Sequence, residues 1–203
     1  MSKKAYSQQE REQIGEKLLK VSVEMLSRKG LKETKLQDIL QAVGISKPFF
    51  YGSYYSSLAE LVVAALHEQR TLLLKEAEKN AQKGAKEQIQ SFLSTVTFNR
   101  EGRFFIMTQQ EELWTHRNLS QADFEKFQQS QEHFFGQLLQ IWNIPPEKCS
   151  PKELLNLILS VLLIHNSAAQ SLPFFFEEEL EKTAQTQIEA LSAYLAGLIK
   201  TEQ

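Results

Sequence analysis

Cysteine, proline and glycine are all scarce in this chain, and each shortage excludes something. The single cysteine, Cys149, cannot close an internal disulfide or build a thiolate metal site by itself. That suits a reducing compartment, and a cytoplasmic location is expected. Five prolines and eight glycines in 203 residues exclude collagen-like and low-complexity classes. Long apolar runs are missing too. The most apolar stretch, Leu154 to Ile164, is interrupted by Asn156 and Ser160 and falls short of the ~18–20 residues that span a bilayer. The first ten residues turn polar at once and hold no leader-like apolar core, so no membrane partner is expected. His67, His116, His133 and His165 lie far apart, without paired ligand spacing, so no metal site is expected. No glycine-rich phosphate loop or nucleophile elbow is present, and neither enzymatic activity nor a cofactor is expected.

What is present is an ordinary globular composition, 42% hydrophobic and 24% charged, with enough chain to bury a real core. The charge is uneven. Residues 1–50 carry ten bases and six acids, a net +4, whereas the whole chain is −2, which leaves −6 for residues 51–203. A basic head on an acidic body suits a polyanionic partner touched by one end only.

The periodicity predicts an all-α protein of about nine helices. Ile14, Leu18, Val21, Met25 and Leu26 recur at three- and four-residue steps and predict a helix from Ser7 to Lys29. Ser7 and Glu10 form its capping box, and Gly30 ends it. A short second helix is expected from a cap at Thr34 to a stop at Gly44, and a third over Lys47 to Ser53, capped by Ser46 with Pro48 in its first turn. A fourth begins at Ser56 or Ser57 and runs to Lys79. Further helices are expected over Lys86–Phe98, Gly102–His116, Gln121–Trp142, Leu154–Leu172 (opened by Pro151 and stopped by Pro173) and Glu177–Lys200. No period-two run is long enough to predict a strand. A helical head at 1–55 and a larger helical domain at 56–203 are expected.

The informative stretch lies between the second and third helices, at Val43-Gly44-Ile45-Ser46. A short glycine-bearing turn between two short helices is the grammar of a helix-turn-helix. Gly44 can adopt positive φ and reverse the chain tightly. Ile45 can drop into a shared core. Ser46 caps the next helix, whose N-terminal half can then enter a major groove about 12 Å wide.

The wider stretch from Gly30 to Tyr51 resembles the DNA-binding region of the tetracycline-repressor (TetR) family of bacterial transcription regulators. Gly30, Thr34, Ile39, Gly44, Ser46 and Tyr51 fall at that family's spacing, and the match covers roughly residues 10–66. Lys35 stands in place of the family's second Thr, Leu40 in place of a small Ala, and Ser57 where a phosphate-reaching Lys is usual. The resemblance implies a regulator, expected to be a repressor, that binds double-stranded DNA at a pseudo-palindromic operator. It implies that Thr34 and Lys35 set a hydroxyl, a helix start and a cation against the phosphate backbone. Ser46 caps the reading helix. Lys47, Pro48 and Phe49 lie in the major groove, and Tyr51 gives its hydroxyl to a phosphate.

The acidic body is rich in phenylalanine, with most of the thirteen between Phe92 and Phe176. Helically spaced aromatics are ordinary core, or else they line an apolar pocket with a few polar groups. Phe104, Met107, Trp114, Phe134, His165 and Asn166 are candidate lining residues for a small apolar or amphipathic effector, which the resemblance implies. The last two helices carry apolar seams with small residues (Ala168, Ala169, Ala193, Ala196 and Gly197), which predicts a twofold homodimer paired through them. The helix from Ser57 to Lys79 is the natural lever between the two regions. The alternative is a helical small-ligand-binding protein that has lost sequence-specific DNA binding.

Overall fold

The computed structural model describes residues 6–171 and 176–199, with side chains left out for 167–171. Nine α-helices are present among the described residues, and no strand. They are α1 (Gln8–Glu33), α2 (Leu36–Val43), α3 (Lys47–Ser53), α4 (Leu58–Glu78), α5 (Ala85–Phe98), α6 (Gln109–Asn118), α7 (Gln121–Ile141), α8 (Pro151–Ser171) and α9 (Leu180–Gly197). Pro173 and the side chains of Ala168 and Ala169 lie outside the described residues. No described helix is long and apolar enough to cross a membrane.

Short-range signals hold at most helix ends. Ser7 caps α1 in a full capping box: its hydroxyl accepts from the Glu10 N–H, and the Glu10 carboxylate accepts from the Ser7 N–H at 2.8 Å. Three expectations shift. Gly30 (φ +72°) kinks the first helix without ending it, and one more turn runs to Glu33. Thr34 does not cap the second helix: Lys35 occupies the N-cap position, without a side-chain cap bond. The sixth helix starts at Gln109 and not at Gly102. The Phe105 N–H and C=O are both engaged by the Gln69 side-chain amide, at 2.9 and 2.8 Å, so neither can join a helical ladder. A smaller departure lies before α9, where the acidic run Glu177–Glu179 forms a single 3-10 turn.

The chain divides into two compact units. The first, the head, runs to Gln69 and takes in Gly102–Met107 and Glu111–Ser120. The second, the body, comprises Arg70–Glu101, Thr108–Gln110 and the chain from Gln121 on. The head thus extends past residue 55 and includes a later stretch of chain. Its core is Leu18, Ile39, Leu40, Val43, Phe50 and Leu61, joined by half-buried Ile14, Ile45 and Tyr54. A second cluster gathers Leu26, Leu31, Val62, Ala65 and Phe105. Within the body, α5 packs on α9, α7 on α8 and α8 on α9. Its buried side chains include Ile89, Leu93, Leu138, Trp142, Leu154 and Ile188.

Candidate nucleic-acid interface

The geometry of the head is set at the α2–α3 turn. Gly44 holds φ +86° and ψ +31°, the left-handed conformation that ends a helix at little cost only for glycine. Its N–H and that of Ile45 both donate to the Leu40 carbonyl, at 2.9 and 3.0 Å. Lys17 Nζ donates to the Val43 carbonyl at 3.1 Å and sets a cation against the negative end of α2. The chain then enters α3 through Ser46, whose hydroxyl accepts from the Phe49 N–H at 3.3 Å. Pro48 sits where the helix has no use for its missing N–H.

Phe50 pins α3 to the head. It is fully buried, and burying a side chain of that size contributes about 1.5–3 kcal/mol. Ser46, Lys47, Pro48, Tyr51, Gly52 and Ser53 are exposed. Lys47 Nζ lies 5.9 Å from the centre of the Tyr51 ring, one helical turn on, and that ring meets Phe50 edge-on. The sequence of α3 contains a cation, two phenylalanines and a tyrosine but no acid. Lys35 is exposed at the start of α2. Gly52 is costly to α3, because glycine in a helix interior is about 1 kcal/mol less favourable than alanine.

The expected contact residues therefore separate into two groups. Lys35, Ser46, Lys47, Pro48 and Tyr51 stand exposed on the head. Thr34 does not: it is only 4% exposed, and its hydroxyl donates to the Gly30 carbonyl at 2.7 Å. It ties the kink in α1 to the start of α2 and offers no hydroxyl outward. Phe49 is half-buried, its ring packed on Tyr6 (4.7 Å between centres) and Tyr54 (5.6 Å). The Tyr54 hydroxyl donates to the Arg11 carbonyl at 2.8 Å, so this aromatic row fastens α3 to the start of α1. Burial raises the Tyr54 phenol pKa.

Sequence reasoning missed Tyr6, Lys17 and Glu111. Tyr6, an aromatic just before the Ser7 cap, is the one with a local signal. Glu111 accepts from the Leu31 N–H at 2.5 Å across eighty residues of chain and satisfies an amide that the Gly30 kink would otherwise orphan. Ser57, standing where a phosphate-reaching lysine is usual, accepts from the Glu60 N–H at 3.1 Å and caps α4.

The six candidate effector residues are divided between the units. Phe104 and Met107 belong to the head, as does Trp114, which is 37% exposed. Phe134, His165 and Asn166 belong to the body. There, Arg70 lies 5.6 Å over the Phe134 ring and donates to Ser130 and Gln131, and burial lowers its pKa to about 10. His165 packs edge-on against Phe98 at 5.2 Å. Among the described residues, no group of three His, Cys, Asp or Glu side chains could hold a metal ion.

No protein-family model matches the chain, and no curated protein matches it significantly. Solved structures do. A TetR transcriptional regulator from a Rhodococcus species is similar with a TM-score of 0.63 at 15% identity, over 93% of this chain and 97% of that one. PfmR, a TetR family transcriptional regulator from Thermus thermophilus, gives a TM-score of 0.40 at 19% identity, over 98% and 100% of the two chains. The first of these likenesses spans head and body, and this chain accordingly has a TetR-like fold.

Proposed function

We propose that this protein is a DNA-binding transcriptional regulator, acting as a repressor, whose α3 reads the major groove of a pseudo-palindromic operator. One observation carries the reading. A short helix, fixed by the Gly44 turn, the Ser46 cap and buried Phe50, exposes Lys47, Pro48 and Tyr51 and includes no acid. Lys47 has the chemistry to donate to guanine O6 or N7, and the Tyr51 hydroxyl and Lys35 to meet phosphates.

A homodimer paired through α8 and α9 would carry two such helices to two half-sites. Supporting this, Leu155, Leu159 and Leu163 stand half-buried at four-residue steps on α8, and Tyr194 on α9 is 46% exposed. A small apolar or amphipathic effector bound in the body would modulate operator affinity by favouring one of two states of the dimer. Three buried polar atoms of the body, Trp142 Nε1, His165 Nδ1 and Gln187 Oε1, have no hydrogen-bond partner and could orient such a molecule.

The test is a mobility shift with duplexes selected from a random pool by the full-length chain. Lys47→Ala is expected to weaken binding by about 1–3 kcal/mol and relax preference at one base pair, and Tyr51→Phe to weaken it uniformly with sequence. Unchanged binding in both variants would remove α3 from the interface. One observation favours a second reading, a helical ligand-binding protein that no longer reads DNA: Ser57 is spent on capping α4 and supplies no cation. Salt-dependent retention on immobilised duplex separates the two, since only a DNA reader should show it.

A further inference from the structure

Gly52 has no explanation inside the molecule. The glycines that adopt positive φ are Gly30, Gly44, Gly84 and Gly102, and Gly52 is not among them. It does not end α3 either: the C-cap is Tyr54, two residues later. Nor does it make room for a neighbour. A Cβ built on Gly52 meets nothing within 4 Å, whereas one on Gly15 would touch the Tyr54 ring at 3.4 Å. Alanine would suit the same backbone and strengthen a helix only seven residues long.

Its position on α3 gives the missing reason. Phe50 is fully buried and defines the inward direction. At about 100° per residue, Pro48 and Gly52 each lie roughly 160° round from Phe50 and one above the other. They form the outermost line of the helix, with exposed Tyr51 and Lys47 both on one flank of it, about 100° and 60° round from Phe50. A helix laid in a groove presents that line to the groove. Here it carries a proline ring and, one turn on, bare backbone.

We propose that Gly52 is the closest-approach residue of the reading helix. Its missing side chain lets the groove of a B-form duplex come within van der Waals reach of the α3 backbone, and that depth sets where Lys47 and Tyr51 reach the DNA. The inference rests on the DNA-reading function proposed above and adds a residue that determines specificity by clearance. Any side chain at position 52 lifts the helix away and lengthens the contacts of Lys47 and Tyr51.

The experiment measures two quantities on the full-length chain: affinity for the duplexes that the wild-type chain selects from a random pool, and the thermal midpoint without DNA. Gly52→Ala is expected to leave the midpoint unchanged or raise it, while weakening affinity about tenfold or more. Gly52→Lys is expected to weaken binding to the same duplexes despite its added cation, and to make the residual binding more salt-dependent. Alanine affinity within about twofold of wild type, tighter binding by the lysine variant, or a lowered midpoint for Gly52→Ala would each overturn the proposal. These results differ from a failure of the parent reading. In that case the wild-type chain would select no duplex at all, and the inference would fall with it.

Discussion

The head and the body differ in how completely their buried polar groups are met. In the head, each buried polar side chain named here is matched. Ser22 donates to the Leu18 carbonyl, Thr34 to Gly30, and Gln69 uses both ends of its amide on Phe105. In the body, Trp142 Nε1, His165 Nδ1 and Gln187 Oε1 are buried without a partner. An unmet buried donor or acceptor costs about 1–3 kcal/mol, so native proteins keep few of them. The contrast locates the unmet bonding capacity in the body. The head is a platform whose buried polar side chains named above are all bonded within it. The body holds bonded ones too, Gln88 to the Ala77 carbonyl and Ser192 to the Glu189 carbonyl, beside the three that are unmet.

The largest effect should come from breaking the platform. Phe50→Ala removes a fully buried ring and should cost about 3–5 kcal/mol. Hydrogen exchange is expected to speed up through α1–α3, with protection in α5, α8 and α9 retained. Equal loss in both units would mean that they unfold as one, and the contrast would lose its basis. A sharper comparison replaces one glutamine in each unit. Gln69→Met strands the Phe105 N–H and C=O and should cost about 2–3 kcal/mol in chemical denaturation. Gln187→Met deletes an acceptor that bonds to nothing and should be neutral or stabilising, by at most about 1 kcal/mol. Equal losses from the two substitutions would show that Gln187 is partnered in solution, and the body would no longer differ from the head.

Legibility follows the same line. The capping box of Ser7 and Glu10, the Gly44 reversal, the Ser46 cap and the span of α3 rest on bonds across three to five residues, so the sequence discloses them directly. The segment after Gly102 does not follow its local pattern, because Gln69 takes the Phe105 backbone from thirty-six residues away. Periodicity predicts one helix over Gly102–His116, a stretch that holds Phe104, Phe105, Met107 and Trp114. It could not see that their chain belongs with the head. Thr34 illustrates the limit on site reading. The family resemblance implies a hydroxyl set against a phosphate, but next to the kink at Gly30 the Thr34 hydroxyl turns inward and donates to the Gly30 carbonyl. The exposure of Lys47 and Tyr51 follows more simply, because α3 is short and one buried ring, Phe50, fixes its inward side.

The smallest expected effect concerns His165, whose pKa lies below the ordinary histidine value of 6.5 because burial disfavours the charged ring, opposed by the nearby Glu181 carboxylate. Glu181 is itself paired with Arg100 at 2.7 Å, which limits how much it can offset the burial. The sign of the pH effect follows. Above pH 6.5 the ring is neutral whether the chain is folded or not, and His165 contributes no pH dependence. Below 6.5 the unfolded chain takes up a proton that the folded body resists, so stability falls as pH drops toward the lowered folded value. His165→Leu should therefore flatten the acid limb: between pH 6.5 and 5 its melting midpoint should fall less steeply than that of the wild-type chain. The same substitution also removes the unpartnered Nδ1, so at pH 7.5 the midpoint should hold or rise slightly. Identical acid limbs would mean that His165 protonates freely in the folded body. The ring would then have found water or a partner, and one of the three atoms that set the body apart from the head would be removed.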